Sequence, residues 1–89
     1  YSELVDGLKC VPNPFSDWSQ LSFYLKEDCF GDIIIYDIMG KVVNGIFSGK
    51  LNRGFHVYNL DGLRLSEGMY YCRVILNNQS SVLLISNVK

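Results

Sequence analysis

The sequence contains no alanine and no threonine. Alanine has the highest helix propensity of all residues, and the apolar positions are filled here mainly by Val, Ile, Leu, Tyr and Phe, which favour strands. We therefore expect no long helix. Eight glycines separate short apolar segments along the chain. This spacing is typical of a β-sandwich or a β-barrel.

An excess of positive charge is also missing. Eight Lys and Arg stand against nine Asp and Glu, which gives a net charge of -1 at pH 7. Charge-driven binding to nucleic acid or to an anionic membrane needs Lys and Arg clustered on one face, so we expect neither partner. The longest strongly apolar runs, residues 33–35 and 82–85, are far below the roughly 18 residues of a transmembrane helix. We expect no membrane-spanning segment.

Groups that carry catalysis or bind metals are scarce. His56 is the single histidine, and a nucleophile without a positioned base is a poor catalyst, so we expect a surface position for His56 and no enzyme activity. Cys10, Cys29 and Cys72 lie far apart, without the Cys-x-x-Cys spacing of zinc sites. The aspartates lack the alternating spacing of a calcium loop. No metal and no cofactor is expected.

Three cysteines are an odd number, so at least one thiol has no partner within the chain. Cys72 alternates with Tyr70 and Val74, which places these side chains on the inner face of a strand and Tyr71 on the outer face. We expect Cys72 to be a buried thiol. A disulfide between Cys10 and Cys72 is the alternative.

Seven segments have the composition of β-strands, which is the number found in an immunoglobulin-like sandwich. The segment at 21–25 should bury Leu21, Phe23 and Leu25 and turn Ser22 and Tyr24 outward. The segment at 32–38 is apolar on both faces, as in a central strand, and a turn through residues 37–41 should join it to the next. The expected strands are residues 4–11, 21–25, 32–38, 42–47, 55–60, 69–76 and 82–88. Between the fifth and sixth, a loop should be pinned by Leu63 and Leu65.

The tetrapeptide Pro12-Asn13-Pro14-Phe15 places two prolines around one asparagine, which favours a stiff, extended bend. Alone, it predicts a bend with Phe15 buried. Four further segments follow it in order: 21–25, the hairpin Ile35-Tyr36-Asp37-Ile38-Met39-Gly40-Lys41, the Gly-x-Tyr strand at Gly68, and Lys89 at the end. Over residues 8 to 89, this combination resembles the C-terminal sorting domain of proteins carried by the type IX secretion system of Bacteroidetes.

The resemblance implies an all-β, seven-stranded immunoglobulin-like sandwich that acts as a sorting signal for a larger protein. Residues 1–7 would be the end of a linker from that protein, and residues 8–89 the sorting domain. The partners implied are the outer-membrane translocon and a sortase that removes the domain in many members. The protein would cross the periplasm and then reach the outer membrane surface or be secreted.

The resemblance assigns recognition motifs residue by residue. These motif residues are Pro12, Asn13, Pro14, Phe15, Gly68, Tyr70 and Lys89. The third motif departs from the family pattern, because Ser80 and Ser81 stand where a lysine usually opens the last strand. An edge strand over residues 82–88 could be extended by a strand of a receptor. Equally, this strand could simply complete the sandwich.

Two other classes of function compete with sorting. The aromatic residues include several that could form an exposed stripe and stack on a sugar, which would make the domain a carbohydrate-binding or adhesive module. Those residues are Trp18, Tyr24, Tyr36, Tyr58 and Tyr71. They could instead be core residues and cross-strand pairs. A non-catalytic immunoglobulin-like spacer, like the module of flagellar hook-capping proteins, is the third possibility.

Overall fold

Two antiparallel sheets form the fold, which is the immunoglobulin-like sandwich predicted from the sequence. The computed structural model describes residues 4–61, 65–77 and 79–88. Its strands are β1 Val5–Val11, β2 Trp18–Leu25, β3 Cys29–Asp37, β4 Val42–Leu51, β5 Gly54–Asp61, β6 Gly68–Leu76 and β7 Gln79–Asn87. The strand order is β1-β2-β5 in one sheet and β4-β3-β6-β7 in the other. The described residues contain no helix, and hence none that could cross a membrane.

The core lies between the sheets and follows the alternation of side chains along each strand. Its largest fully buried side chains are Leu21, Phe23, Leu25, Ile33, Ile35, Val74, Leu76 and Ile85. The predicted inner face of β2 is thus confirmed, and Tyr24 is exposed as expected. β3 is the central strand predicted, between β4 and β6, and its outer-face residues Ile34 and Tyr36 are half-buried.

Ser22 turns outward as expected, and it is nevertheless buried. It lies on the outer face of β2, but it is only 7% exposed. β2 is the middle strand of its sheet, and Ser22 is paired with Lys9 on one side and Val57 on the other. These longer neighbours cover the short hydroxymethyl group.

The hairpin between β3 and β4 forms through the predicted turn. Asp37 Oδ1 accepts hydrogen bonds from the backbone N–H groups of Met39 and Lys41, both at 2.9 Å. The Gly40 N–H donates to the Asp37 carbonyl, also at 2.9 Å. An aspartate that bonds the backbone ahead of it stabilises a turn, which is why this segment closes the hairpin.

His56 was expected at the surface, and this expectation is wrong. It is half-buried and faces the interior, where its ring stacks on Phe23 with 5.4 Å between centroids. β5 pairs with β2 without a register shift, and Phe23 lies directly opposite His56. Residues opposite each other in antiparallel strands share a face. Pairing with β2 therefore turns His56 inward and leaves Phe55 and Val57 exposed.

Candidate functional site: the edge of the last strand

The segment at residues 12–15 lies along the C-terminal half of β7. Phe15 is buried and forms an isolated parallel bridge with Asn87. Its N–H donates to the Ser86 carbonyl at 2.9 Å, and its carbonyl accepts from the Val88 N–H at 2.8 Å. The bend predicted from the two prolines thus ends in a buried aromatic ring, with backbone hydrogen bonds that hold the segment against β7.

Asn13 extends this contact by one step towards the start of β7. Its Nδ2 donates to the Leu84 carbonyl at 3.0 Å, and its Oδ1 accepts from the Ser86 N–H at 3.0 Å. A carboxamide offers the same donor and acceptor as a peptide group. The Asn13 side chain therefore occupies the edge of β7 as one residue of a neighbouring strand would.

Pro12 is held in place by a hydrogen bond from Ser19, a buried residue of β2. The Ser19 hydroxyl donates to the Pro12 carbonyl at 2.6 Å, and Ser19 Oγ lies 2.9 Å from Cys10 Sγ. Ser19 is fully buried, so this hydrogen bond is shielded from water. The bend at Pro12 and Pro14 is thus tied both to the first sheet, through Ser19 of β2, and to the second, through β7.

Gly68 and Tyr70, the second motif, face the same half of β7 across the ladder. Gly68 pairs with Asn87, and Tyr70 pairs with Ile85. Gly68 has φ of +149° with no atom near the position of a Cβ, so its backbone conformation, rather than lack of space, favours glycine there. The Tyr70 ring is buried, and its hydroxyl donates to the Ser66 carbonyl at 2.6 Å.

Asn87 connects the two motifs and was not singled out from the sequence. It is fully buried, and its Nδ2 donates to the carbonyls of Leu65 at 2.8 Å and Ser66 at 3.2 Å. The available signal was alternation in β7, which puts residue 87 on the same inner face as Ile85. The Asn87 side chain thus binds the loop before β6, while its backbone lies between those of Phe15 and Gly68.

Six of the seven predicted motif residues are thus brought together around the second half of β7. The seventh, Lys89, lies outside the described residues, as does Leu63 of the predicted loop pins. Leu65, the other pin, is buried. The roles of the motif residues in recognition stay predictions, while their proximity is a property of the fold.

The expected open edge is shorter than predicted. β7 is the last strand of its sheet, but from the Leu84 carbonyl to Val88 its edge is covered by Asn13 and Phe15. Of the two interpretations of residues 82–88, a free edge therefore applies only to the part before the Leu84 carbonyl, and the remainder completes the sandwich. The sequence did not show that a segment more than 70 residues earlier returns to this edge.

The cysteines are buried and free of disulfides. The burial predicted for Tyr70 and Cys72 and the exposure predicted for Tyr71 are confirmed. Burial raises the pKa of the Cys72 thiol to about 12, with a further contribution from Cys10. Within the described residues, no cluster of three or more His, Cys, Asp or Glu side chains could hold a metal ion.

The aromatic side chains do not form a single stripe. Trp18 and Tyr24 lie on the outer face of β2, whereas Tyr36 and Tyr71 face each other on the outer face of the other sheet. Tyr58 points inward and packs on Phe23 at 6.3 Å between ring centroids. This distribution does not provide the continuous platform that the carbohydrate-binding alternative requires.

A family model described as the secretion system C-terminal sorting domain matches residues 9–86 of the 89-residue chain. The match begins on β1 and ends on β7, and therefore includes the whole cluster around Asn13, Phe15, Gly68 and Tyr70. No curated protein and no solved structure matches the chain.

Proposed function

Because the chain belongs to the family of secretion system C-terminal sorting domains, whose members are signals for type IX secretion, we propose that it carries a larger protein through the outer-membrane translocon. The destination that follows from the family is the outer membrane surface or the medium. The finer steps proposed here are passage through the periplasm, binding of the folded domain by the translocon, and removal by a sortase after export.

The family match over residues 9–86 is the observation that carries this proposal. The arrangement of the motif residues supports it. The second half of β7 contacts or pairs with Asn13, Phe15, Gly68 and Tyr70. Binding of a receptor to β7 would therefore depend on the correct folding of this part of the domain. The domain acts in this proposal as a folded signal without chemistry of its own, and residues 1–7, of which 5–7 lie in β1, join it to the cargo.

Removing residues 82–89 tests the need for β7. We expect the cargo to remain in the periplasm of a host that has the type IX machinery. Loss of a strand also exposes core, so unfolding could produce the same result. A milder variant is needed, one that alters the surface of β7 and keeps its buried residues.

The double variant Val82→Glu/Leu84→Glu meets this need, because both side chains are exposed on the outer face. Its matched control is Phe55→Glu/Val57→Glu, which changes two exposed side chains on the outer face of the other sheet. We expect both variants to keep the melting temperature of the parent, and only the β7 variant to lose export. Equal export of the two folded variants, together with normal export after deletion of Lys89, would show that the recognition surface lies elsewhere.

A further inference from the structure

The first half of the β7 edge has backbone groups that face away from β6. Leu84 and Ser86 direct backbone groups to this edge, where Asn13 binds them. Along an antiparallel strand, every second residue directs its N–H and C=O to the same side, so Val82 and Ser80 face the edge as well. Val82 and Leu84 are both in register with β6, and apart from that ladder no described residue forms a backbone hydrogen bond with Val82 or with the Leu84 N–H. The edge is therefore open over residues 80–84.

The chain itself shows what this edge binds. Beyond the Leu84 N–H, the edge is filled by the carboxamide of Asn13 and by the backbone of Phe15. Both occupants are peptide-like groups that exchange hydrogen bonds with β7. An extended peptide placed beside residues 80–84 would continue the same line of hydrogen bonds and would stop where Asn13 begins.

The side chains beside the open edge favour an apolar strand. Val82 is 57% exposed and Leu84 is 47% exposed, and both lie on the outer face. Val82 also borders a shallow groove of about 280 Å³ with Tyr36, Tyr71 and Arg73. A strand added to β7 would place alternate side chains next to Val82 and Leu84, and apolar groups there would cover the exposed surface.

We propose that residues 80–84 of β7 bind an extended segment of the secretion machinery as an added strand, and that Asn13 sets the end of this pairing. This inference rests on the proposed sorting function and adds the mode of binding and its register. The edge strands β1 and β4 are less suited, because each has a register shift in its pairing, and such irregularities oppose edge pairing. β5 pairs regularly with β2 and provides the control.

The test compares Val82→Pro with Val82→Thr in the full cargo protein. Proline removes the edge-facing N–H of residue 82 and is tolerated where that group does not pair with a neighbouring strand. Threonine keeps the N–H and the branched shape. The melting temperature shows whether both variants fold. If they do, we expect Val82→Pro to lower the exported amount about tenfold, because it weakens binding of the added strand to the β7 edge by about that factor. Val82→Thr makes this side chain more polar but keeps the N–H, so it should lower export clearly less than Val82→Pro does.

Export of folded Val82→Pro at the level of Val82→Thr would overturn the edge-pairing inference and leave the sorting function intact. Failure of the unmodified domain to export cargo would instead refute the sorting function. If Val82→Pro does not fold, the proposal is tested by placing the photo-crosslinker benzoylphenylalanine at position 84. The control is the same crosslinker at position 57 on β5, because Leu84 and Val57 are equally exposed, at 47%. A translocon adduct from position 84 and none from position 57 supports the proposal. Equal adducts, or an adduct from position 57 alone, contradict it.

Discussion

The side-chain amide of Asn13 donates to the carbonyl of Leu84 at 3.0 Å and thereby joins residues that are 71 positions apart in the chain. Its Oδ1 accepts from the next edge-facing N–H, that of Ser86. Together with the backbone of Phe15, this side chain closes the C-terminal half of an otherwise open strand edge. An edge strand left fully open is a template for pairing with other chains. Asn13 shortens that template to residues 80–84.

Asn13→Ala should lower the free energy of unfolding by about 1 kcal/mol, because two hydrogen bonds are lost at a position where water can replace them. Urea denaturation measures this change. Asn59→Ala is the matched control, since Asn59 is also exposed and accepts a weaker hydrogen bond from Gln20 at 3.3 Å. We expect less than about 0.5 kcal/mol for this control. Equal effects of the two changes would show that Asn13 does not stabilise the edge of β7.

A pair of glycines in the hairpin of β3 and β4 tests the packing of the second sheet. A Cβ at Gly31 would lie 2.6 Å from Leu76 Cδ2 and 2.7 Å from the Ile75 carbonyl oxygen, whereas a Cβ at Gly45 would meet no atom within 4 Å. Gly31→Ala should therefore lower the free energy of unfolding by about 1–3 kcal/mol through overpacking.

Gly45→Ala should be neutral or stabilising by about 0.5 kcal/mol, because alanine restricts the unfolded chain. Thermal unfolding of the two single variants provides the comparison. A Gly31→Ala variant as stable as Gly45→Ala would be inconsistent with the close approach of β3 to β6 at this position.

The burial of Cys72 gives the stability a defined pH dependence. Burial, with a smaller contribution from Cys10, raises the pKa of the Cys72 thiol from its ordinary value of 9.0 to about 12 in the folded protein. The unfolded chain then loses this proton at lower pH than the folded chain does. Stability from this group is complete below pH 9, and it falls by about 1.4 kcal/mol per pH unit as the pH rises to 12.

Lysines and tyrosines titrate in the same pH range, so the informative quantity is the difference between the parent and Cys72→Ala. We expect the stability of the parent to fall more steeply above pH 9 than that of the variant, which starts from a lower stability because of the cavity it creates. Parallel curves would show that the Cys72 thiol ionises freely in the folded protein.

The strands were predictable from the sequence, because they are short runs of β-branched, aromatic and leucine residues separated by glycines and turns. The alternation of Tyr70, Tyr71 and Cys72 in β6 gave the correct faces for all three. The faces of β5 were harder to predict, since Phe55 and Val57 are more apolar than His56, and yet they point outward. Only the register with Phe23 of β2 determines this orientation, and register between distant strands has no local signal.

In the candidate site, too, the local features were predictable from the sequence and the long-range contacts were not. The motif of residues 12–15 is recognisable from the spacing of its prolines, and Phe15 is buried as the bend suggested. Its contact with β7 is a long-range pairing, and so is the contact of Asn87 with the carbonyls of Leu65 and Ser66. These contacts exist because the two sheets pack together, and no stretch of adjacent residues contains that information.

Surface transport of a foreign protein tests the sorting function most directly. Residues 1–89 are joined to the C-terminal end of a periplasmic reporter enzyme in a host with the type IX machinery, and the fraction of reporter that added protease digests on intact cells is measured. The sorting function predicts that most of the reporter becomes accessible in this host and that it remains protected in an otherwise identical strain lacking the translocon. A reporter that stays protected in both strains, while the attached domain is folded, would contradict it.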